Sequence, residues 1–275
     1  GETAEAMTFL FWNLKKRSLQ ENIRRLVLRH EIDVLMFAEF SIEPQLLLKT
    51  LNPNISEFHY VPGKICRKIE IFSRFPHDFM TTVYENDRLT IRHLKLQKMM
   101  DILLAIGHFP SKNYWDGPSQ ASECVELSGE IRAVEKEIGH SRTILVGDFN
   151  MNPFEAGIVN ANGFNAVMTR SIAERNFRIV QSREYPFFYN PMWSLLGDAS
   201  PGPPGTYYRS GSEHRNFFWH MFAQVLIRPD LLSSFSNEEL RILDSDGSAS
   251  FMTSYGMPNG RAVSDHLPIL FKLRL

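Results

Sequence analysis

A chain of 275 residues, 43% of them apolar and 21 of them phenylalanine, has ample material for a large core, and 22% charged residues is ordinary for a soluble fold. The net charge of −1 excludes a global basic field, so any polyanion must be met by local patches. No run of residues reaches membrane-span length and no export signal is visible.

The two cysteines, Cys66 and Cys124, are far apart and lack metal-type spacing. Free thiols in a reducing compartment, and hence a cytoplasmic location, are the expectation unless an export signal has been removed. Residues Gly1 to Ala6 read as an expression remnant or a flexible start. No repeat, linker or charge block interrupts the remainder, so residues 7–275 are expected to form a single domain.

Met7 to Trp12 alternates as a short strand and stops at Asn13, ahead of Lys15-Lys16-Arg17. Ser18 and Glu21 have the spacing of a capping box, and Ile23, Leu26, Val27 and His30 make a helical face behind it. Val34 to Ala38 is apolar on both faces, like a central strand, and stops at Glu39. A helix is predicted over Pro44 to Leu51.

Three short strands follow, Ile69–Phe72, Phe79–Val83 and Leu89–Leu96, separated by turn residues and suggesting a hairpin or meander. Ile102 to Ile106 is another buried strand, ending at Gly107-His108. Ser119 to Ile138 is the longest helix, with Cys124, Leu127, Ile131, Val134 and Ile138 as its stripe and Gly139 as its stop.

Thr143 to Val146 leads into Gly147-Asp148-Phe149-Asn150-Met151-Asn152-Pro153, where an acid and an amide two residues apart share one side of an extended chain. Gly147 permits a close backbone approach. Glu155–Asn160 is a short helix, residues 163–218 are irregular, and Trp219–Ile227 returns to strand character. The last strand alternates from Leu267 to Arg274 behind Ser264-Asp265-His266.

Four strands therefore end in Asn13, Glu39, His108 and Asp148, and a fifth begins after Asp265-His266. Strand ends are where rigid scaffolds mount functional groups. Mg²⁺ takes one or two carboxylates and leaves its other positions to water and phosphate, a role that suits Glu39 and Asp265. Phosphodiester hydrolysis also needs a group to orient or deprotonate water, which suits Asp148. It needs donors for charge growing on phosphorus, which suits His108, His266 and Asn150.

The segments Phe11-Trp12-Asn13, Ala38-Glu39, Gly107-His108-Phe109-Pro110, Gly147-Asp148-Phe149-Asn150 and Ser264-Asp265-His266 resemble, in order, the motifs of the endonuclease/exonuclease/phosphatase superfamily, the deoxyribonuclease I-like phosphoesterases. The resemblance implies an α/β fold, a four-layer α/β/β/α sandwich with two mainly antiparallel sheets face to face and helices outside. It implies a divalent metal, Mg²⁺ or Mn²⁺, on Glu39 with Asn13 and Asp265 close by. It further implies water activation at Asp148 and contact of Asn150, His108 and His266 with the scissile phosphate.

One position departs from the pattern. Met221 to Ile227 resembles the family segment that carries an aspartate where this chain has Ala223, and that aspartate bonds the histidine matching His266. Without it the imidazolium loses its stabilising partner. Three accounts stay open: an engineered inactivating substitution, a natural change with another acid such as Asp246 standing in, or a shifted match.

Lys15, Lys16, Arg17 and Lys112 lie just beyond strand ends and are expected at a cleft rim or as solvated charges. Arginines, Arg209 among them, outnumber acids around the aromatic stretch Tyr185–Trp193, which could stack on bases or serve as packing ballast. His59, His77, His93, His140, His214 and His220 fall in no ligand spacing and are read as structural. Ser264 lacks a nucleophile elbow and is expected to position the following turn.

The leading expectation is a metal-dependent phosphodiesterase, a nuclease with nucleic acid as its partner. The alternatives are a phosphoesterase acting on a small phosphorylated molecule and a catalytically dead binding module, which Ala223 would favour.

Overall fold

The structure is a computed structural model and describes residues 5–275. The expected flexible start lies largely outside the described residues, but Ala6 already opens the first strand, opposite Arg274.

One sheet runs from edge to edge as Arg241–Ile242, Ile269–Arg274, Ala6–Asn13, Val34–Ala38, Ile69–Ser73 and His59–Val61. The other runs as Met80–Glu85, Leu89–Leu94, Ile102–His108, Thr143–Asp148, Ala223–Ile227, Phe188–Tyr189 and Ala166–Val167. Both are mainly antiparallel. The parallel neighbours are Ala6–Asn13 with Val34–Ala38, Ile102–His108 with Thr143–Asp148, and Phe188–Tyr189 with Ala166–Val167.

The sheets pack face to face over a core containing Phe9, Phe11, Met36, Leu104, Ile106 and Val146. The helix Gly117–Ile138 covers the outer face of the second sheet, laying Cys124, Leu127 and Ile131 against Leu103, Ala105 and Leu145. The helices Gln20–His30 and Pro44–Leu51 bury Ile23, Leu26, Val27 and Leu47 and complete the α/β/β/α layering. Alternate residues of a strand share a face. Asn13, His108, Asp148 and Ala223 therefore continue the inward faces of Phe11, Ile106, Val146 and Val225, at the edge where the apolar filling ends.

Several local expectations are corrected. The Gln20–His30 helix starts on Leu19 without a side-chain cap, and Glu21 pairs with Arg24 at 3.0 Å instead of closing a capping box. Ile69–Ser73 belongs to the first sheet, so the meander comprises only Met80–Glu85, Leu89–Leu94 and Ile102–His108. The long helix begins at Gly117 because Asp116 accepts the Ser119 amide at 2.8 Å and caps it. It stops where Gly139 turns left-handed, as expected.

The region read as irregular holds a hairpin, Phe177–Val180 with Arg183–Pro186. Trp219–Ile227 is not one strand. Side chains capture its backbone in mid-course: the Met221 amide donates to Asn152 Oδ1 at 2.8 Å and the Ala223 amide to Thr206 Oγ1 at 3.0 Å. Trp219–His220 then pairs separately with Tyr207–Tyr208. Both cysteines are free and buried. No helix among the described residues is long and apolar enough to cross a membrane.

Candidate active site

Parallel neighbours need a crossover connection, supplied for two of the pairs by the Gln20–His30 and Gly117–Ile138 helices. Both strands of each pair then finish at the same edge, with Asn13 beside Ala38 and His108 beside Asp148 in register. Stacking the two sheets brings these ends together at a cleft of about 690 Å³. Glu39, His108, Lys112, Asp148, Asn150, Arg209 and His266 line it.

Asp148 is the best-anchored of them, with only 1% of its surface exposed. Burying an unpartnered carboxylate costs several kcal/mol, and this one is not unpartnered. Its Oδ2 accepts from Asn13 Nδ2 at 2.9 Å and its Oδ1 from the Asn150 amide at 3.1 Å. His108 Nε2 lies 3.6 Å and His266 Nδ1 3.9 Å from Oδ2. A Cβ on Gly147 would run into the backbone of Gly107, so glycine is what lets the two strands close up beside this carboxylate. Asn150 adopts a left-handed φ of 50° and donates its Nδ2 to the Phe109 carbonyl at 2.8 Å.

Asn13 is buried beside Asp148, and neither it nor Asp265 is among the lining residues. Ser264 positions the final turn, donating to the Asn13 carbonyl at 2.7 Å and accepting the His266 amide at 3.1 Å. Trp12 Nε1 donates to the His266 carbonyl at 3.0 Å, and Tyr207 stacks on the imidazole with ring centroids 4.7 Å apart. The ring is thus held, yet its buried Nδ1 has no hydrogen-bond partner.

Ala223 stands directly opposite Asp148 in the ladder, on the same inward face. Asp246 cannot stand in for an acid there. Its carboxylate is occupied by Asn22, Arg25 and the amides of Ser248 and Ala249.

Glu39 follows its strand with a left-handed φ of 46°, and Lys15 and Lys16 are left-handed beside it, at 50° and 56°. Their loops are laced together by the Lys16 amide on the Glu39 carbonyl at 2.8 Å. Strained backbone of this kind persists where the surroundings over-determine it, and it concentrates at functional sites. Lys15 is not free at the rim, because its Nζ pairs with Asp265 Oδ2 at 3.1 Å. The other oxygen, Asp265 Oδ1, is buried without a partner.

Burial foremost, then the carboxylates of Asp265, Asp148 and Glu39, push the Tyr207 hydroxyl pKa up against the opposing pull of Arg209. All three acids are near enough to act on this ring electrostatically. Mg²⁺ takes oxygen ligands and few of them from protein, and the buried, unpartnered Asp265 Oδ1 is an oxygen donor of that kind.

Lys112 bridges Glu155, at 2.7 Å, and the Asn150 carbonyl, at 2.9 Å, so it braces the Asp148–Asn150 turn. Tyr207 and Phe222, which the sequence passes over, line the cleft, and so does His220, which it presents as structural. Asn152 Nδ2 lies 3.0 Å from His220 Nδ1. Burial first, then Lys112, lowers the His220 pKa. An amide donor on Nδ1 leaves the ring proton of a neutral imidazole on Nε2.

The aromatic stretch Tyr185–Trp193 is mostly core rather than a stacking surface: Phe187, Phe188, Tyr189 and Met192 are all buried.

His93 and His140, read as structural, close on Asp101 at 2.6 and 2.9 Å, and Arg142 reaches its other oxygen at 2.6 Å. Asp101 precedes the strand that His108 ends, so this cluster occupies the opposite edge of the sheet. The Arg142 amide donates to His140 Nδ1 at 3.1 Å, so the Nε2 facing Asp101 carries the proton and is not available to a metal. The cluster is an ion-pair and hydrogen-bond clasp.

No protein-family model matches the sequence, and no curated protein matches it either. Solved structures do match, over nearly the whole chain. An endonuclease/exonuclease/phosphatase family protein from Bacteroides thetaiotaomicron superposes with a TM-score of 0.58 at 13% identity, over 99% of this chain and 96% of that one. Danio rerio TDP2, solved with a single-strand DNA product, gives 0.56 at 12% identity over 98% and 100%. The Neisseria 3′ phosphatase NExo, bound to a product DNA hairpin, gives 0.55 at 14% identity over 98% and 100%. Likeness at this identity carries architecture, and the chain has the fold of the endonuclease/exonuclease/phosphatase superfamily.

Proposed function

We propose that the chain is a divalent-metal-dependent phosphodiesterase that hydrolyses nucleic acid by direct attack of water on phosphorus. The observation that carries this reading is the buried Asp148 carboxylate, fixed by Asn13 and Asn150 beside two imidazoles at the end of a cleft. Two of the structural neighbours, TDP2 and NExo, were solved with DNA products, which supports nucleic acid as the substrate class.

In this mechanism Asp148 takes a proton from water as the water oxygen bonds to phosphorus. The bond from phosphorus to the leaving oxygen breaks, and that oxygen takes up one proton, leaving a phosphomonoester and a hydroxyl. Asn150, His108 and His266 donate to the non-bridging oxygens as negative charge builds there. Arg209, on the cleft wall, adds positive charge for a flanking phosphate, while Lys112 and Lys15 hold Asn150 and Asp265 in place. A divalent cation held by Glu39 and Asp265, with Asn13 adjacent, would supply Lewis acidity to the phosphate.

The unpartnered Nδ1 of His266 and the methyl group of Ala223 opposite Asp148 support the reading that this form is impaired. An aspartate at position 223 would give the imidazole an acid partner. Ala223→Asp is therefore expected to raise Mg²⁺- or Mn²⁺-dependent hydrolysis by roughly a hundredfold or more, within the range of acid–base contributions. The assay panel is plasmid, single-stranded DNA, RNA and phosphorylated small molecules. Adding Asp148→Ala or Glu39→Ala should abolish the gain. Unchanged turnover in Ala223→Asp, or activity that survives those controls, would overturn the assignment.

The cleft volume, about 690 Å³, also lies in the range of small-molecule sites. Hydrolysis confined to small phosphoesters, with KM insensitive to salt, would favour that second reading over a nuclease.

A further inference from the structure

An unbroken series of aromatic contacts leads out of the cleft. His266 stacks on Tyr207 at 4.7 Å, Tyr207 on Phe222 at 5.3 Å, and Phe222 on His220 at 4.7 Å, with interplanar angles of 29°, 23° and 28°. These four rings cover one another's faces. The next contacts differ in kind: Phe217 meets His220 edge-on at 87°, Phe154 meets Phe217 at 58°, and Trp193 meets Phe154 at 57°. Edge-on and steeply tilted neighbours leave ring faces uncovered.

These outer rings are also exposed. Phe154 is 39%, Phe217 50% and Phe218 49% accessible, beside a cleft whose polar groups would otherwise favour a hydrophilic rim. Phe218 holds a left-handed φ of 60°, a strained state for a bulky residue. Three backbone contacts fix it: Asn216 Oδ1 accepts its amide at 2.8 Å, its carbonyl accepts from Arg209 at 2.8 Å, and Trp219 N donates to the Phe217 carbonyl at 2.7 Å. This turn sets Phe218 beside Tyr208, with ring centroids 6.3 Å apart, and fixes the course of the chain that carries Phe217.

We infer that Phe154 and Phe217 form a stacking ledge for an unpaired nucleobase next to the phosphate held in the cleft. The inference rests on the nucleic-acid reading and deepens it. A ring ledge can take a base only where the π-face of that base is free, so the preferred ligand is a single strand or a frayed end rather than an intact duplex. Continuity with the cleft through His220, together with Arg209 and Lys112 on the cleft wall, favours a strand whose phosphates enter the cleft while a base rests outside.

The test is binding of the present Ala223 form to three labelled probes, measured by fluorescence anisotropy: a short oligothymidylate, an abasic oligomer of equal length and a blunt duplex. Oligothymidylate should bind tightest. Phe217→Ala and Phe154→Ala should each weaken it by roughly five- to a hundredfold, the range of one base–aromatic stack. Both variants should leave the abasic oligomer unchanged, and Phe217→Trp should retain thymidylate binding.

Equal weakening on thymidylate and abasic probes, or none on either, would overturn the ledge. So would a concentration-dependent self-association abolished by Phe217→Ala while DNA binding stays intact, because the rings would then serve a protein contact. The parent reading fails differently: no probe binds at all, and Ala223→Asp hydrolyses no polynucleotide.

Discussion

At Gly147 the absence of a side chain sets the geometry of a neighbour. The ladder that pairs Gly107 with Gly147 also pairs His108 with Asp148, and a Cβ between the first two would meet backbone that cannot swing aside. Gly147→Ala must therefore separate the strands one residue before the carboxylate. The expected loss is about 2–4 kcal/mol, as for overpacking at a rigid site. Urea unfolding would measure it, and a variant as stable as its parent would mean that the ladder adapts.

The same scale shows what the sequence reveals. Asn13, Glu39, His108 and Asp148 are legible because each polar residue terminates an apolar run. Tyr207, His220 and Phe222 are not: Tyr207 lies in the irregular stretch, His220 and Phe222 read as part of one strand, and the three meet only through a stack assembled from separate elements. Ala223 is conspicuous in the sequence only against a motif, since alanine in an apolar run carries no signal of its own. The unpartnered Nδ1 of His266 is visible only in the structure.

Between elements, two polar ties hold the second sheet. Glu135 on the long helix takes a bidentate contact from Arg228, at 2.9 and 3.0 Å, and a hydroxyl from Thr143 at 2.7 Å, all of it buried. Arg228 also covers the Phe188 ring at 3.8 Å. Removing one partner strands the other charge. Glu135→Ala should cost about 3–5 kcal/mol, whereas replacing both partners with apolar residues should cost less than the two single changes together. Additive losses in a double-mutant cycle would refute the coupling.

The second tie is the clasp of His93, His140 and Arg142 on Asp101, joining a strand, the start of its neighbour and the segment after the long helix. Asp101→Asn should lower stability by about 1–3 kcal/mol through weakened charge-assisted bonds. A chelator should shift the melting temperatures of the parent and of Asp101→Asn equally; a drop in the parent that Asp101→Asn does not share would place a metal at this cluster.

Helices and strands with strong periodicity were legible almost residue for residue, Pro44–Leu51 among them. The failures at Ser18–Glu21 and at Trp219–Ile227 share a cause. In each, a side chain chose a partner that local spacing does not reveal: Arg24 for Glu21, and the Met221 and Ala223 amides for Asn152 and Thr206.

Over the whole molecule, the response to acid follows from where the titrating groups sit. His30 ends the Gln20–His30 helix against the first sheet, and Arg241 Nη2 approaches its Nδ1 at 3.5 Å. Burial, then the cations of Arg241, Arg29 and Lys272, lowers its pKa from 6.5 to about 4. The unfolded chain therefore binds the proton first. Between about pH 6.5 and pH 4 it holds more protons than the native state, and stability falls as the pH drops through that window.

A half-buried group shifted in this way contributes on the order of 1–2 kcal/mol once solvent screening is allowed for, still a noticeable share of a typical folding free energy. Asp101 and Asp246 add a later loss. Hydrogen bonds outweigh burial and hold both carboxyls below the usual 3.8, so their stabilisation is complete above that value and disappears only at lower pH. His30→Gln separates the two regimes. It should flatten the stability–pH curve between 6.5 and 4 and leave the steeper acid limb below 3.8 in place, as read from urea midpoints across the range. An unchanged slope in the upper window would place the acid sensitivity elsewhere, with His220 the next group to replace because burial lowers its pKa in the same direction.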